Sequence, residues 1–168
     1  MMNKIRGFEV VTEKKRTAFD VFTDEKKRTH NFPMEIKLPT RSDKRSAGYD
    51  FYLPKDLKLL PMQKIIVWTD VKAFMQPDEL LEIYIRSSLA IKNGIMLSNN
   101  VGIVDSSYYN NESNDGNIGI ALVNTTGTTV ELKAGSKIAQ GIFKKYLVAD
   151  NDETQHELRI GGFGSSGQ

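Results

Sequence analysis

The sequence contains no cysteine, one tryptophan and two histidines among its 168 residues. Without cysteine the chain has neither a disulfide framework nor a thiolate metal site. No apolar run approaches the roughly 20 residues that a membrane-spanning helix needs. In a signal peptide an apolar stretch follows the basic residues, but no such stretch follows Lys4 and Arg6. We therefore expect a single soluble, cytoplasmic domain that does not contact a membrane.

The net charge of +2 is unevenly distributed along the chain. Residues 1–45 hold 12 basic and 7 acidic side chains, whereas residues 46–168 hold 11 and 14. Acidic residues are interleaved with the basic clusters at 14–16 and 26–28. This mixture favours a solvated charged surface over a nucleic-acid site, so we expect no direct contact with nucleic acid.

Sustained helical periodicity is also lacking, and short apolar segments alternate with proline, glycine and asparagine. The predicted strands are 34–38, 49–53, 64–68, 80–86, 95–97, 101–104, 118–123, 128–132 and 138–148. Many short strands with turn residues between them indicate an all-β sandwich or barrel. The candidate helices are weak and lie at 55–59 or within 19–28.

One turn is predicted with a defined geometry. Asn93-Gly94 lies between apolar runs, and this dipeptide favours the tight turn of a β-hairpin. The pattern therefore predicts that residues 85–92 and 95–104 are neighbours across a hairpin turn.

The C-terminal segment 160–168 is rich in glycine and serine. Its glycines allow the backbone to approach a ligand closely, while Ser165 and Ser166 offer hydroxyl and amide groups to an anion. Phe163 offers an aromatic face on which a base can stack. Taken alone, such a segment is also typical of a frayed terminus. Together with the motifs below, it indicates a tail that closes over a phosphorylated ligand.

Polar residues interrupt three of the predicted strands. Asp50 stands near the start of one strand, and Arg86 is followed by Ser87 and Ser88 at the end of another. A guanidinium and hydroxyl groups suit anionic oxygens. Asp105 ends a third apolar strand, in a position expected to be desolvated, and is therefore a candidate general base. Each of these residues also has an ordinary structural explanation, as a turn former, a surface ion pair or a strand-ending cap.

Five motifs follow one another along the chain. They are AGYD at 47–50, RSSLA at 86–90, GIVDSSY at 102–108, GSKIAQ at 135–140 and RIGGFGSSG at 159–167. From about residue 33 onward, their order and spacing resemble the trimeric dUTP pyrophosphatases, or dUTPases. The resemblance implies an all-β, jelly-roll-like barrel of the dUTPase type that forms a homotrimer, with a C-terminal arm closing the active site. It also implies Mg²⁺-assisted hydrolysis of dUTP to dUMP and pyrophosphate, which limits the incorporation of uracil into DNA.

The resemblance further implies roles for the motif residues at the reacting end of the substrate. Asp105 would activate the water that attacks the α-phosphorus. Asp50 would hold Mg²⁺ through its water shell, which suits an ion that keeps several waters. The residues expected to bind the substrate around its phosphates are Arg86, Ser87, Ser88, Lys137, Gln140, Arg159, Gly164, Ser165 and Ser166.

At the nucleoside end, the resemblance implies that Asn99 and the backbone around Gly102 recognise the uracil edge, within a hairpin at 95–105. Tyr108 would pack under the deoxyribose and leave no room for a 2′-hydroxyl. Phe163 would stack on the uracil from the other side.

Some residues depart from the family's usual pattern. Ile85 stands in place of proline, Ser107 and Ser136 in place of acidic residues and Lys137 in place of arginine, and Arg159 is one residue closer to Phe163 than usual. A lysine lacks the planar fork with which an arginine binds phosphate.

The largest departure is an insertion at 109–117 of about six residues, rich in asparagine, aspartate and glycine. Similar insertions occur in dUTPases of bacteriophages of Gram-positive bacteria, and some of those also bind repressor proteins. The insertion therefore predicts a bacteriophage-type dUTPase acting in a host cytoplasm, with a repressor-like partner bound through residues 109–117. The alternative is a tolerated surface loop without a partner.

These observations predict three regions. Residues 1–32 form a basic N-terminal arm packed on the domain, residues 33–152 form the barrel, and residues 153–168 form a mobile tail that covers the nucleotide. Two alternatives remain open. One is a dCTP deaminase of the same fold, but Asn99, Asp105 and Phe163 together argue against it. The other is a regulatory protein that binds dUTP as a sensor.

Overall fold

The computed structural model describes residues 4–16 and 35–153, which form β-strands with one short α-helix. The strands are β1 Gly7–Val10, β2 Thr40–Arg41, β3 Tyr49–Tyr52, β4 Leu57–Leu59, β5 Lys64–Trp68, β6 Val71–Phe74, β7 Glu79–Ile85, β8 Ile95–Leu97, β9 Gly102–Asp105, β10 Gly119–Asn124, β11 Val130–Leu132 and β12 Lys137–Lys145. Helix α1 spans Ser87–Asn93, and 3₁₀ turns span Glu13–Lys15 and Ser106–Tyr108. The all-β prediction is confirmed. Within the described ranges no helix is long and apolar enough to cross a membrane.

The strands pair in antiparallel sheets. The largest sheet has the order β2-β3-β12-β7-β9, and a three-stranded sheet has the order β5-β10-β8. Two further pairs join β1 to β6 and β11 to β4. Alternation along β7 turns Leu81 and Ile83 into the core, where 0% and 3% of their surfaces are exposed. These two residues belong to one apolar cluster that holds the sheets together and that also includes Phe51, Ile120 and Ile138.

The predicted hairpin at Asn93-Gly94 is wrong, because residues 87–93 form helix α1. Gly94 is the C-cap of that helix, with φ at 62° and its N–H donating to the carbonyl of Ala90 at 3.2 Å. An Asn-Gly pair suits the C-terminal cap of a right-handed helix as well as a hairpin turn, because both need a residue with positive φ. The dipeptide therefore predicted the position of the turn, but it did not predict that a helix precedes the turn.

The hairpin expected at 95–105 is also divided between two sheets. Strand β8 pairs with β10, whereas β9 pairs with β7. The residues between them form a turn in which Asn100 has φ at 65° and donates its N–H to the carbonyl of Leu97 at 3.3 Å. Residues 95–105 therefore cross from one sheet to the other.

The remaining strand predictions each overlap an observed strand except 34–38, of which the described residues 35–38 lie in no strand. The weak helix prediction at 55–59 is wrong, since Leu57–Leu59 is strand β4, and the alternative at 19–28 lies outside the described residues. Strands β1, β2, β4 and β6 were not predicted. Lys72 interrupts the apolar pattern of β6, although only 6% of its surface is exposed.

The N-terminal residues 4–16, called the N-terminal segment below, pack on the rest of the chain. Strand β1 pairs with β6 from Gly7, opposite Phe74, to Val10, opposite Val71. The ring of Phe8 packs on three other aromatic rings, those of Tyr49, Phe51 and Phe143. Val11 follows with 1% of its surface exposed. This pairing brings the N-terminal segment beside residues 109–117.

Candidate functional site

A buried carboxylate with two cations lies at one end of the five-stranded sheet. Asp50 is on β3 with 2% of its surface exposed. Its Oδ1 is bonded by a guanidinium nitrogen of Arg86, and its Oδ2 lies 2.7 Å from Nζ of Lys137. Ser42 donates its hydroxyl to the same Oδ2 at 3.0 Å. Asp50, Arg86 and Lys137, predicted from three separate motifs, therefore meet in one group.

Strand register places Gln140 beside this group. Gln140 on β12 lies directly opposite Asp50 on one side and Tyr84 on the other. Its side chain passes over Gly48, where an added Cβ would lie 2.5 Å from Oε1 and 3.1 Å from Cβ of Gln140. Gly48 is therefore required by the close approach of the Gln140 side chain. The group therefore combines two cations with one amide, a set of donors that suits an anionic ligand.

Helix α1 begins where β7 ends. Arg86 is the last residue before the helix, and its carbonyl accepts the N–H groups of Leu89 at 3.0 Å and Ala90 at 3.1 Å. Leu89 is the buried anchor of the helix. Ser87 and Ser88 start the helix with exposed side chains. The motif thus directs a cation towards Asp50 and leaves two hydroxyl groups at the surface.

A second group of predicted residues lies around β9. Gly102 packs tightly on β7, since an added Cβ would lie 3.1 Å from Cβ of Ile83. Asn99 is exposed in the turn before β9, and Asp105 is exposed at the end of β9, opposite Leu80. Asp105 was expected in a desolvated position, and within this chain it is not buried.

Tyr108 follows in the 3₁₀ turn with 6% of its surface exposed. Its hydroxyl donates to the carbonyl of Asn117 at 2.9 Å and accepts from Nδ2 of Asn114 at 2.6 Å. The hydroxyl of Tyr108 is therefore bonded to the loop that follows, while its ring belongs to the apolar cluster.

The chain does not bring the two groups together. Asp50 is on β3 and Asp105 is on β9, and β12 and β7 lie between these strands. Asp50 shares a row with Gln140 and Tyr84, whereas Asp105 lies opposite Leu80. Strand spacings make the separation about 14 Å across the sheet and about 13 Å along it. One substrate cannot contact both carboxylates of a single chain at bonding distance.

The third group lies outside the described residues. It comprises Arg159, Phe163, Gly164, Ser165 and Ser166. Their roles stay predictions.

Residues 109–117, called the insert below, differ from the simple surface loop that was expected. Asn111 and Asn117 are buried, with 9% and 1% of their surfaces exposed. Oδ1 of Asn111 accepts the N–H groups of Ser113 and Asn114, each at 3.1 Å. Asn117 bonds the backbone N–H and the carboxylate of Asp70 at 2.9 and 2.8 Å. The asparagines therefore hold the loop in shape.

Several residues around these groups were missed from the sequence. They are Ser42, Gly48, Lys72, Asn114 and Asn117. The motif AGYD contained Gly48 without a stated role, and no sequence pattern distinguished the others. Gly48, Lys72 and Asn117 contact partners that are distant in the sequence. Asn114 makes its contacts inside an irregular loop, and Ser42 bonds Asp50, which is close to it in the sequence.

The described residues do not form a complete metal cage. Within residues 4–16 and 35–153, no group of three or more His, Cys, Asp or Glu side chains is placed to bind a metal ion. The carboxylate of Asp50 is the acidic side chain that meets the cations of the first group. Any metal held there needs oxygen ligands from water or from the substrate.

Comparisons with known proteins give the family of the chain. The family model described as dUTPase matches residues 34–167. A protein of Lactococcus lactis subsp. lactis named deoxyuridine 5′-triphosphate nucleotidohydrolase is 40% identical over 165 residues, which cover 98% of this chain and 99% of that protein. The dUTPase of Streptococcus mutans has a TM-score of 0.68 at 37% identity, covering 86% of this chain and 98% of that one.

A dUTPase of the Staphylococcus aureus phage phi11, described with a species-specific insert, has a TM-score of 0.63 at 18% identity and covers 91% of this chain and 97% of that one. At that identity the likeness shows the fold alone. The jelly-roll-like barrel predicted for this chain is thereby confirmed. The match to a bacterial protein over nearly the whole chain does not single out the bacteriophage enzymes to which the insert pointed.

Proposed function

Because the chain belongs to the dUTPase family, we propose that it hydrolyses dUTP to dUMP and pyrophosphate. The observation that supports this most is the grouping of Arg86, Lys137 and Gln140 around buried Asp50, since these residues come from the motifs shared with the family. Such an activity keeps uracil out of DNA and supplies dUMP.

The cationic group would bind the triphosphate. Arg86 and Lys137 both pair with Asp50, and their remaining N–H groups can bond phosphate oxygens. Gln140 adds an amide, and Ser87 and Ser88 add exposed hydroxyl groups. Fixed donors that surround the phosphates hold them in line for attack and offset the charge that develops on the leaving pyrophosphate. The tail residues predicted from the fifth motif would close over the same phosphates.

Asp105 is the proposed general base. Its exposed position at the end of β9 lets a water reach its carboxylate. Asp105 takes a proton from that water, and the oxygen of the water bonds to the α-phosphorus. The bond from the α-phosphorus to the bridging oxygen breaks, and pyrophosphate leaves with the electron pair. General-base catalysis of this kind contributes about 10²- to 10⁴-fold to the rate.

Recognition of the nucleoside would come from the turn before β9 and the residues after it. The turn crosses between two sheets, so its backbone groups are not all used in pairing. Asn99 and the backbone at Gly102 would bond the uracil edge, and the buried ring of Tyr108 would contact the deoxyribose. Phe163, outside the described residues, would stack on the base. A site that bonds one base edge rejects other bases by leaving polar groups unpaired.

Magnesium fits this site only together with the substrate. Asp50 is a single carboxylate already bonded by Arg86 and Lys137, so it suits an ion that arrives on the phosphates and is held through water. Bound in this way, Mg²⁺ would offset negative charge on the phosphates. The chain's own part is to orient that hydrated ion through Asp50 and to hold the phosphates with its cations.

We also propose a homotrimer whose active sites combine residues of different chains. The separation of Asp105 from Asp50 within one chain supports this, because a second chain can supply the missing group. Exposed apolar side chains next to the site support it too. Ile91, Met96 and Ile103 have 83%, 42% and 54% of their surfaces exposed. Light scattering should give a mass near three times the 18.9 kDa of the chain.

The proposed function is tested by pyrophosphate release from dUTP, dCTP, dTTP and UTP with Mg²⁺. We expect release from dUTP and a loss of about 10³-fold in kcat in Asp105→Asn. Ammonia release from dCTP would instead indicate a deaminase. Tight dUTP binding by the unaltered protein without hydrolysis would indicate a nucleotide sensor.

A second candidate function is the binding of a protein partner through the insert. The insert supports this because Asn110, Glu112 and Ser113 expose their side chains at its surface. Deletion of residues 110–115 would also remove the bonds that hold Tyr108, so it is a poor test. Glu112→Ala with Ser113→Ala alters the surface alone, apart from one internal hydroxyl bond. Unchanged binding of a repressor-like protein by this double variant would argue against the role.

A further inference from the structure

The insert is bonded to the N-terminal segment although about a hundred residues of sequence lie between them. The bonds run from the N–H of Thr12 to Oδ2 of Asp115 at 2.7 Å, from Nζ of Lys15 to the carbonyls of Glu112 and Ser113 at 2.8 and 2.9 Å, and from the hydroxyl of Tyr109 to Oε2 of Glu9 at 2.6 Å. Each end of the insert, and its middle, therefore has a partner in the N-terminal segment.

A buried lysine joins the insert to the sheet below. Nζ of Lys72, on β6, lies 2.6 Å from Oδ1 of Asn110 and 3.0 Å from Oδ1 of Asp115. Only 8% of the Lys72 side chain and 13% of the Asp115 side chain are exposed. Burial alone would raise the pKa of Asp115, but the N–H of Thr12 and the ammonium of Lys72 outweigh it and hold this pKa below its usual value. Asp115 thus stays charged where β1, β6 and the insert meet.

The other side of the insert holds Tyr108. Asn114 donates to the Tyr108 hydroxyl at 2.6 Å, and that hydroxyl donates to the carbonyl of Asn117 at 2.9 Å. Nδ2 of Asn111 donates to the Tyr108 carbonyl at 2.8 Å. Gly116 passes so close that an added Cβ would lie 2.8 Å from that carbonyl. Both ends of Tyr108 are therefore fixed by the insert.

We propose that the N-terminal segment and the insert form one positioning unit that holds Tyr108 in place for the sugar of the nucleotide. This inference rests on the proposed function, in which the Tyr108 ring contacts the deoxyribose and excludes a 2′-hydroxyl. Tyr108 lies three residues after Asp105 and is the buried residue of the 3₁₀ turn Ser106–Tyr108. Loosening the unit would let the ring move and make room for a ribose.

The proposal makes Lys15 and Asn114 positioning residues, although neither is expected to touch the substrate. A merely structural role would change the unfolding temperature alone. A positioning role also changes KM for dUTP and the ratio of kcat/KM for dUTP to that for UTP, while kcat stays nearly constant.

Two variants and two matched controls test this. Lys15→Met removes the bonds to the carbonyls of Glu112 and Ser113, and Lys14→Met removes the same charge from an exposed neighbour. Asn114→Ala removes the amide that bonds Tyr108, and Glu112→Ala changes an exposed side chain of the same insert while keeping its backbone carbonyl. Each full-length protein is assayed with dUTP and UTP. Amide hydrogen exchange of residues 106–117 is measured without nucleotide.

We expect Asn114→Ala to raise KM for dUTP and to lower the dUTP-to-UTP ratio, each about fivefold, with Lys15→Met acting in the same direction by about twofold. Both variants should accelerate exchange at residues 106–117, and both controls should match the unaltered protein. If amide hydrogen exchange is unchanged in both Lys15→Met and Asn114→Ala, the proposal that the two segments form one unit is overturned, whatever the activities are. Faster exchange with an unchanged dUTP-to-UTP ratio would overturn its role in sugar recognition. Absence of dUTP hydrolysis in the unaltered protein would overturn the proposed function instead, and the exchange results would still test the unit.

Discussion

Nζ of Lys137 lies 2.7 Å from Oδ2 of Asp50, a residue with only 2% of its surface exposed. Arg86 contacts the other oxygen of the same carboxylate. The pairing means that each cation is held at the site before any ligand arrives. It also means that one buried negative charge supports two positive ones, so its removal has a larger effect than the loss of a surface ion pair.

Asp50→Ala is therefore expected to lower the free energy of unfolding by about 2–4 kcal/mol, because two cations are left facing each other near the protein interior. Chemical denaturation without nucleotide measures this change. Asp56→Ala is the matched control, since Asp56 pairs with Lys133 at 2.8 Å but has 61% of its side chain exposed. A loss in Asp50→Ala no larger than that in Asp56→Ala would show that the buried pairing is not a source of stability.

Gly48→Ala is expected to displace the Gln140 side chain, because the new Cβ would lie 2.5 Å from Oε1 and 3.1 Å from Cβ of Gln140. Loss of a phosphate contact should raise KM for dUTP by about tenfold. Steady-state assays at varied dUTP concentration measure this. Gly127→Ala adds the same methyl group where nothing lies within 4 Å and should leave KM unchanged. Equal KM values for the two variants would argue against a role of Gln140 in binding.

Stability is expected to fall with acidification through Glu79, a residue with 5% of its side chain exposed. Arg6 bonds it at 3.1 and 2.5 Å, and this guanidinium holds the pKa of Glu79 below its usual value. A carboxylate with a lowered pKa in the folded state stabilises the fold above its unfolded pKa, about 4.3, and this contribution is lost as pH falls through the folded pKa.

Thermal unfolding between pH 7 and pH 3 tests this expectation. The unaltered protein should unfold at a higher temperature than Glu79→Gln at pH 7, and the difference should shrink as pH falls below about 4.3. A difference that is the same at both ends of the range would show that the charge of Glu79 is not involved.

Gly94→Ala is expected to destabilise the chain by about 1–3 kcal/mol for two reasons. Gly94 has φ at 62°, which a side chain disfavours, and an added Cβ would overlap Cγ2 of Thr126. Adding Thr126→Ser removes that methyl group and should restore part of the loss, leaving the cost of the backbone conformation. Denaturation of the single and double variants separates the two terms. If the double variant is no more stable than Gly94→Ala, the overlap is not a cause.

The motif residues were predictable because their chemistry is local. Asp50 and Arg86 stood out as polar residues at strand ends, and Gln140 belonged to the fourth motif of the resemblance. The structure then placed them together through strand register and an ion pair. Helix α1 was not predictable in the same way. Its seven residues are too few for periodicity, and a single buried residue, Leu89, anchors it.

The insert makes contacts that sequence patterns did not predict. Asparagine, aspartate and glycine indicated a loop, and the structure has one. The buried bond of Asn117, however, goes to Asp70, a distant partner that no local pattern reveals. Strand β6 was missed for the same reason. In the sequence, Lys72 is a charge that interrupts an apolar segment. Its bonds to Asn110 and Asp115, which allow its burial, are visible only in the structure.

The sequence by itself determined the strand composition, the family and the identity of the candidate site residues, because alternation and motif order are properties of neighbouring positions. Only the tertiary structure decided that Asp50 and Asp105 lie at different places on one sheet, and that the N-terminal segment bonds the insert beside Tyr108. Those relationships depend on sheet order and on burial. Both arise from the packing of strands that are distant in the chain, where the burial of apolar surface outweighs any local preference.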